Sequence, residues 1–355
     1  MRCLLQAPLL LILDEPTSVL TPHEVAGLFA MLRRLAGDGC SVLYISHKLE
    51  EIRSLCDRAT VLRAGRVVGT CDPRAASAGE MAEMMIGRAL AAPVRAARGA
   101  PGEPVLVVDR LALPAEDPFG TDLRDVSLSV RAGEIVGIAG VAGNGQRELL
   151  AAISGERRAG RANAVVIAGR AAGRLGVAGR RRLGLASVPE ERLGRGAVGA
   201  FTLAENALLT GTRGALGRGG LVRRGRLRRF AEGVIDTFAV VAAGTEAVAS
   251  SLSGGNLQKF IVGRELGGAP LVLLAAHPTW GVDVGAGQAI HAALRELAAR
   301  GAGVLIVSED LEELFAICDR IGVLQAGRLS DPRAVGDTGM AAVGLLMGGG
   351  DAAAA

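Results

Sequence analysis

The stretch "LVLLAAHPTWGVDVGAGQAIHAALRELAARGAGVLIVS", residues 271–308, decides the fold. It opens on a short apolar run, 271–275, and closes on another, 303–307. Runs of this length without alternation read as strands covered on both faces. Between them, residues 286–299 space apolar side chains three and four apart, the mark of an amphipathic helix. Strand, helix, strand within so short a span implies a parallel pair joined by a crossover. Such a sheet carries its chemistry at the carboxyl ends of its strands.

A second stretch reads the same way. "PLLLILDEPTSVL", 8–20, runs through a helix at 24–36, closed by Gly37 and Gly39, into a strand at 41–46. With an offset of 262, residues 8–66 lie on 270–328 without a gap. Pro8 falls on Pro270, Pro16-Thr17 on Pro278-Thr279, Ser46 on Ser308 and "LEE" 49–51 on "LEE" 311–313. "CDR" 56–58 meets "CDR" 318–320, and "AGR" 64–66 meets "AGR" 326–328. The chain therefore carries one module twice. The copies differ where a strand end would do chemistry: Asp14, Glu15 and His47 in the first stand where Ala276, His277 and Glu309 stand in the second.

The second copy continues upstream through strand-rich 105–113 and 123–140 to a glycine-rich loop and a helix at 146–154. Residues 89–103, rich in Ala, Arg, Pro and Gly, read as the linker between a first domain at 1–88 and a second at 104–347; 348–355 reads as a tail. Half of the 355 residues are hydrophobic and only 3% aromatic, so the core is built from Ala, Val, Leu and Ile. The net charge is +4, yet Lys48 and Lys259 are the only lysines; this arginine bias reads as composition, and no nucleic-acid partner is expected. Five scattered cysteines without a CxxC pair point to a reduced compartment. No uninterrupted apolar run of about 18 residues is present, so no membrane span is expected. The opening "MRCLLQAPLLLIL" runs straight into Asp14-Glu15 without a small-x-small cleavage site, against a signal peptide.

"GVAGNGQR", 140–147, sits between a strand and a helix. Gly140, Gly143 and Gly145 match the glycine spacing of a phosphate loop, whose N–H groups and helix terminus hold anions. Asn144 lies within the loop, Gln146 stands where such loops carry Lys, and Arg147 where they carry Ser or Thr. The backbone cradle survives, with the loss of one charge-assisted contact worth about 1.5–3 kcal/mol. "LSGGNLQKF", 252–260, opens a helix with Ser253 as N-cap and Gly254, Gly255 and Asn256 in its first turn. "RRGRLRRF" (223–230) reads as a solvated helix face and "MAEMMIGR" (81–88) as the amphipathic close of the first copy; His23 and His291 read as surface or helix residues.

The order of loop 140–147, "VPEER" 188–192, "LSGGN" 252–256, "HPTWGVD" 277–283 and "VSED" 307–310 resembles that of the ATP-binding-cassette (ABC) ATPases. The resemblance covers 104–347 as a whole cassette and 1–88 as the rear of another. It implies an α/β P-loop NTPase fold with a parallel core sheet, an antiparallel β subdomain and a helical subdomain. It implies ATP and Mg²⁺ as ligands. By position, Asp14 matches the Walker B aspartate that organises the metal, Glu15 the base that polarises water and His47 the switch histidine; Glu190 falls near the Q-loop. Nucleotide contacts would come from 140–147 and 253–256. Cassettes of this family work as head-to-tail pairs, so a competent site would join Asp14, Glu15 and His47 to the signature helix Ser253–Gly254–Gly255–Asn256, while the second site binds without hydrolysing.

Fused double cassettes of this kind resemble the subunits that energise sugar or nucleoside uptake. The resemblance implies a cytoplasmic protein on the inner face of the membrane, docked on transmembrane permease subunits fed by an extracytoplasmic solute-binding protein. The counterpart of Pro104 in the first copy would lie roughly 160 residues before Met1. The chain by itself is accordingly expected to bind nucleotide weakly and to hydrolyse essentially none. Two other readings stay open: a double-cassette ATPase acting on ribosomes or DNA, and a non-catalytic regulatory remnant.

Overall fold

The computed structural model describes residues 8–17, 20, 22–46, 48–63, 65–77, 80, 81, 83, 84, 101–116, 118, 120–211, 217, 218 and 221–348. The chain divides into two compact units: Met1–Ala97, to which Asp283–Gly285 are also assigned, and Arg98–Val282 with Ala286–Ala355. Residues 89–100 of the expected linker and the tail 349–355 lie outside the described residues, as does His47.

In the first unit, β1 (Leu10–Asp14) and β2 (Ser41–Ile45) pair in parallel, Leu10 opposite Ser41 and Asp14 opposite Ile45. Helix α1 (Pro22–Gly37) crosses between them and buries Phe29 and Leu32. Then follow α2 (Leu49–Leu55) and an antiparallel hairpin of β3 (Ala59–Arg63) and β4 (Arg66–Cys71).

The second unit has a four-stranded antiparallel sheet in the order β6-β5-β8-β9, from β5 (Pro104–Leu113), β6 (Leu123–Arg131), β8 (Val165–Ile167) and β9 (Arg170–Ala171). Its larger sheet runs β10-β13-β14-β7-β15-β16. The strands are β7 (Ile135–Ala139), β10 (Leu185–Val188), β13 (Val272–Ala276), β14 (Gly303–Ser308), β15 (Arg320–Gln325) and β16 (Arg328–Leu329). The first five of that path are parallel; β16 and β17 (Arg333–Ala334) pair antiparallel to β15. A small hairpin joins β11 (Gly217–Arg218) and β12 (Leu221–Val222). The expected strand region 123–140 is broken by a turn at Gly133, whose φ of +82° only glycine adopts freely.

Two hydrophobic cores flank the large sheet. One gathers Val272, Leu274, Leu305 and Val307 with Val136, Ile138 and the antiparallel sheet, and includes Leu149 and Ile153 of α3 (Gln146–Ser154). The other gathers Leu273, Ala275, Val304 and Ile306 with helices: α5 (Leu203–Thr210), α6 (Arg224–Thr237), α7 (Gly254–Gly267), α8 (Val284–Ala299), α9 (Leu311–Ile317) and α10 (Met340–Met347). Short α4 (Val177–Arg182) precedes β10.

The repeat holds in three dimensions. Pro22–Gly37 and Val284–Ala299 keep the 262 offset at both ends, and so do Leu49–Leu55 and Leu311–Ile317. One expectation fails. The apolar run 9–13 reads as covered on both faces, yet Leu10 and Ile12 are 54% and 58% exposed, with Leu43 and Ile45 beside them at 51% and 46%. Their counterparts Val272, Leu274, Leu305 and Val307 are buried. The reason is the number of layers: the second unit packs α3 and the antiparallel sheet against that face and extends the sheet beyond β14 with β7, whereas β1 and β2 form a sheet of two.

Candidate nucleotide site

Loop 140–145 leaves β7 and enters α3 at Gln146. Gly143 (φ +87°) and Gly145 (φ +109°) turn the backbone where a side chain would strain it. A Cβ on Gly140 would lie 2.6 Å from the carbonyl oxygen of Leu324, so the loop requires bare backbone there too. Such a cradle fits a phosphate.

Gln146 does not project as a free cation would. Its Nε2 donates to the Val141 carbonyl (2.8 Å), and its Oε1 accepts from the Asn144 N–H (3.0 Å). Asn144 in turn donates to Val141 (2.9 Å), and its Oδ1 accepts from the Ala326 N–H (2.9 Å). The loop is thus laced by two neutral amides. Arg147, 73% exposed, pairs with Glu191 at 3.3 Å and is the cation at this helix start.

Behind the loop lies the turn after β13. His277 adopts φ +43° and donates its N–H to Val307 (2.9 Å). Burial pushes its imidazole below the ordinary value, against the opposing pull of Glu190, Glu313 and Asp310. Burial pushes Glu309 up, the Ala142 amide holds it down, and the charge of Glu190 pushes it up further. Glu190 therefore acts on both His277 and Glu309, and Glu309 reaches the loop at the Ala142 amide.

The signature turn is built by its cap. Ser253 has extended backbone, its Oγ accepts from the Asn256 N–H (3.5 Å), and the Asn256 Nδ2 donates to the same Oγ (2.9 Å). Asn256 Oδ1 accepts from the Val241 N–H (2.9 Å). Ser253 and Gly254 are exposed. Two side chains without a role in the sequence reading lash this helix to the turn 277–281. Gln258 donates to the Pro278 carbonyl (3.1 Å); Arg192 donates to Gln258 (3.3 Å) and to the Trp280 carbonyl. A Cβ on Gly254 would lie 2.5 Å from the Arg192 guanidinium, so the arginine passes close over the first turn of this helix.

In the first unit, Asp14 ends β1, and Glu15 adopts φ +44°, the conformation of His277, with its N–H on Ile45 (2.9 Å). The two acidic residues thus follow one another at a strand's carboxyl end; among the described residues no group of three or more His, Cys, Asp or Glu is placed to hold a metal ion. Beside them Glu51 is buried and accepts from Thr17, Tyr44 and Ser46; in the second unit Glu313 accepts from Thr279 and Ser308. The repeated "LEE" was the only trace of these two carboxylates in the sequence.

A family model described as "ABC transporter" matches residues 123–280. The chain is 43% identical to "Glucose import ATP-binding protein TsgD13" of Haloferax volcanii, over 97% of the chain and 63% of that protein. It is 38% identical to "Guanosine import ATP-binding protein NupO" of Bacillus subtilis, over 96% of the chain and 66% of that protein. To "Nucleoside import ATP-binding protein NupA" of Lactococcus lactis subsp. cremoris it is 36% identical, over 96% and 67%. The chain thus spans about two thirds of the length of these relatives. Among solved structures, an "ATP binding subunit of ABC transporter" superposes with a TM-score of 0.54 at 24% identity, over 66% of this chain and 91% of that one. A nucleotide-free cassette gives 0.53 at 20%, over 65% and 91%. These likenesses show the fold.

Proposed function

The chain belongs to the ATP-binding proteins of ABC transporters, and on that premise we propose that it energises an importer of simple sugars or nucleosides. The names of its relatives, glucose, guanosine and nucleoside import proteins, support the solute class. Its partners are transmembrane permease subunits, served from outside by a solute-binding protein, and its place is the inner face of the membrane. No helix among the described residues is long and apolar enough to cross it.

Residues 1–88 act as the rear of a first cassette, 89–103 as linker, 104–347 as a second cassette and 348–355 as a tail. The bare face of β1 and β2 supports this: its counterpart in the second unit is covered by the helix that follows the glycine loop and by the antiparallel sheet. Asp14 holds the metal, which when bound offsets the charge of the phosphates. Glu15 orients the attacking water and takes its proton, and His47 contacts the terminal phosphate. The signature residues Ser253, Gly254, Gly255 and Asn256 serve as nucleotide contacts of the second cassette. Gly140, Gly143, Asn144, Gly145, Gln146, Arg147 and Glu190 line a second site that binds nucleotide without hydrolysing it. One observation carries the division: Glu15 and His277 share one backbone conformation 262 residues apart, and only the first is acidic.

The chain by itself turns over essentially no ATP on this reading, so the comparison is made in the assembly with its permease, where Glu15→Gln should lower ATP turnover by about 100-fold or more, the usual worth of a general base. Turnover and solute uptake in membrane vesicles check it. Retained turnover would show that hydrolysis lies elsewhere.

A further inference from the structure

We propose that Glu51 is a positioning residue for that hydrolysis, holding the turn that carries Glu15 against the strand end that leads to His47; the proposal rests on the role assigned to Glu15. Glu51 is 9% exposed and receives three hydroxyls. Thr17, two residues past Glu15, donates to Oε1 at 2.6 Å. Tyr44 donates to Oε2 at 2.6 Å, and Ser46, next to position 47, to the same oxygen at 3.2 Å. Lys48 adds a cation 3.7 Å from Oε1, and its N–H donates to Ser46 Oγ at 3.0 Å. One carboxylate therefore ties the ends of β1 and β2 together. Only an acceptor without protons of its own takes all three hydroxyls with every O–H pointing inward.

The tie matters because of the backbone it restrains. Glu15 sits at φ +44°, a left-handed conformation disfavoured for a residue with a Cβ and kept only where neighbours over-determine it. The bonds that restrain it include the Glu15 N–H on Ile45 and, two residues on, Thr17 on Glu51. Releasing the second lets the turn relax toward ordinary backbone, which swings the Glu15 carboxylate away from its place while the fold persists.

The second unit supplies an internal control. Glu313, 6% exposed, takes Thr279 and Ser308 (2.7 Å), the same two partners at the same offset. Its third partner changes place: His291 on α8 stands 3.5 Å away, where the first unit has Phe29, while Tyr44 of the first unit is matched by Ile306. The acceptor is the same in both, but only in the first unit does the turn it restrains bear an acid. A purely structural tie would therefore act alike in both units, and a positioning tie only in the first.

The test is steady-state ATP hydrolysis by the full chain co-expressed with its permease, with kcat, KM for ATP and melting temperature for Glu51→Gln, Thr17→Val, Glu313→Gln and Glu15→Gln. Glu51→Gln and Thr17→Val should lower kcat by about tenfold, with KM within about twofold, since binding groups are untouched. Glu313→Gln should lower the melting temperature comparably and leave kcat within about twofold. Equal loss of kcat in Glu51→Gln and Glu313→Gln, or unchanged kcat in both first-unit variants while Glu15→Gln abolishes turnover, overturns the proposal and leaves the function standing. Turnover indifferent to Glu15→Gln overturns the functional reading itself. Should Glu51→Gln not fold, Thr17→Val decides alone.

Discussion

At position 277 a histidine occupies a turn whose twin carries Glu15, and its burial has a consequence that pH can read. Burial holds the folded-state value of His277 below the ordinary one near 6.5, so the unfolded chain binds a proton first as pH falls. Its contribution is thus complete above about pH 6.5 and declines as pH drops toward the folded value. Glu313 acts lower on the scale. Burial alone would raise it, but His291, Thr279 and Ser308 outweigh burial and hold it below the usual carboxylate range, so its contribution is lost only below about pH 4.5. Denaturant melts at stepped pH should show that His277→Gln flattens the stability curve just below pH 6.5 and leaves the limb below pH 4.5 in place.

Helix α7 shows how an element is specified by its first turn. Its overall sequence, "GGNLQKFIVGRELG", is poorly amphipathic because Leu257, Gln258, Phe260, Ile261, Val262, Gly263, Arg264 and Glu265 are all buried, so packing surrounds it. Its start is set by Ser253, with Asn256 bonded back to the cap and outward to Val241. Ser253→Ala should cost about 1 kcal/mol of stability in the second unit, the usual worth of an N-cap. Thermal or denaturant unfolding measures it. Asn256→Ala should add to the loss rather than duplicate it, because the Val241 N–H then loses its acceptor.

Across the whole molecule, the same strand pair exists in two settings. β13 and β14 are buried along their full lengths between two cores, while β1 and β2 alternate between buried or half-buried and exposed. Backbone bonds open in proportion to what shields them. Amide hydrogen exchange of the isolated chain should therefore be at least about 100-fold slower in β13 and β14 than at the matching positions of β1 and β2. Equal protection would mean that the Leu10, Ile12, Leu43 and Ile45 face is covered by something other than solvent.

Much of this was legible in the chain itself. Two copies related by one offset, the helix of 146–154 to the residue, the Ser253 cap and the acid pair at one strand end all rest on residues close together in sequence, where period and turn chemistry act locally. The partners of Glu51 and Glu313, the bridge from Arg192 through Gln258 to the turn 277–281, and the bare face of β1 depend on contacts between distant segments. An apolar run such as 9–13 carries the instruction to be a strand, but not the number of layers laid over it. Only packing supplies those layers, and burial is what turns a surface glutamate into a tie.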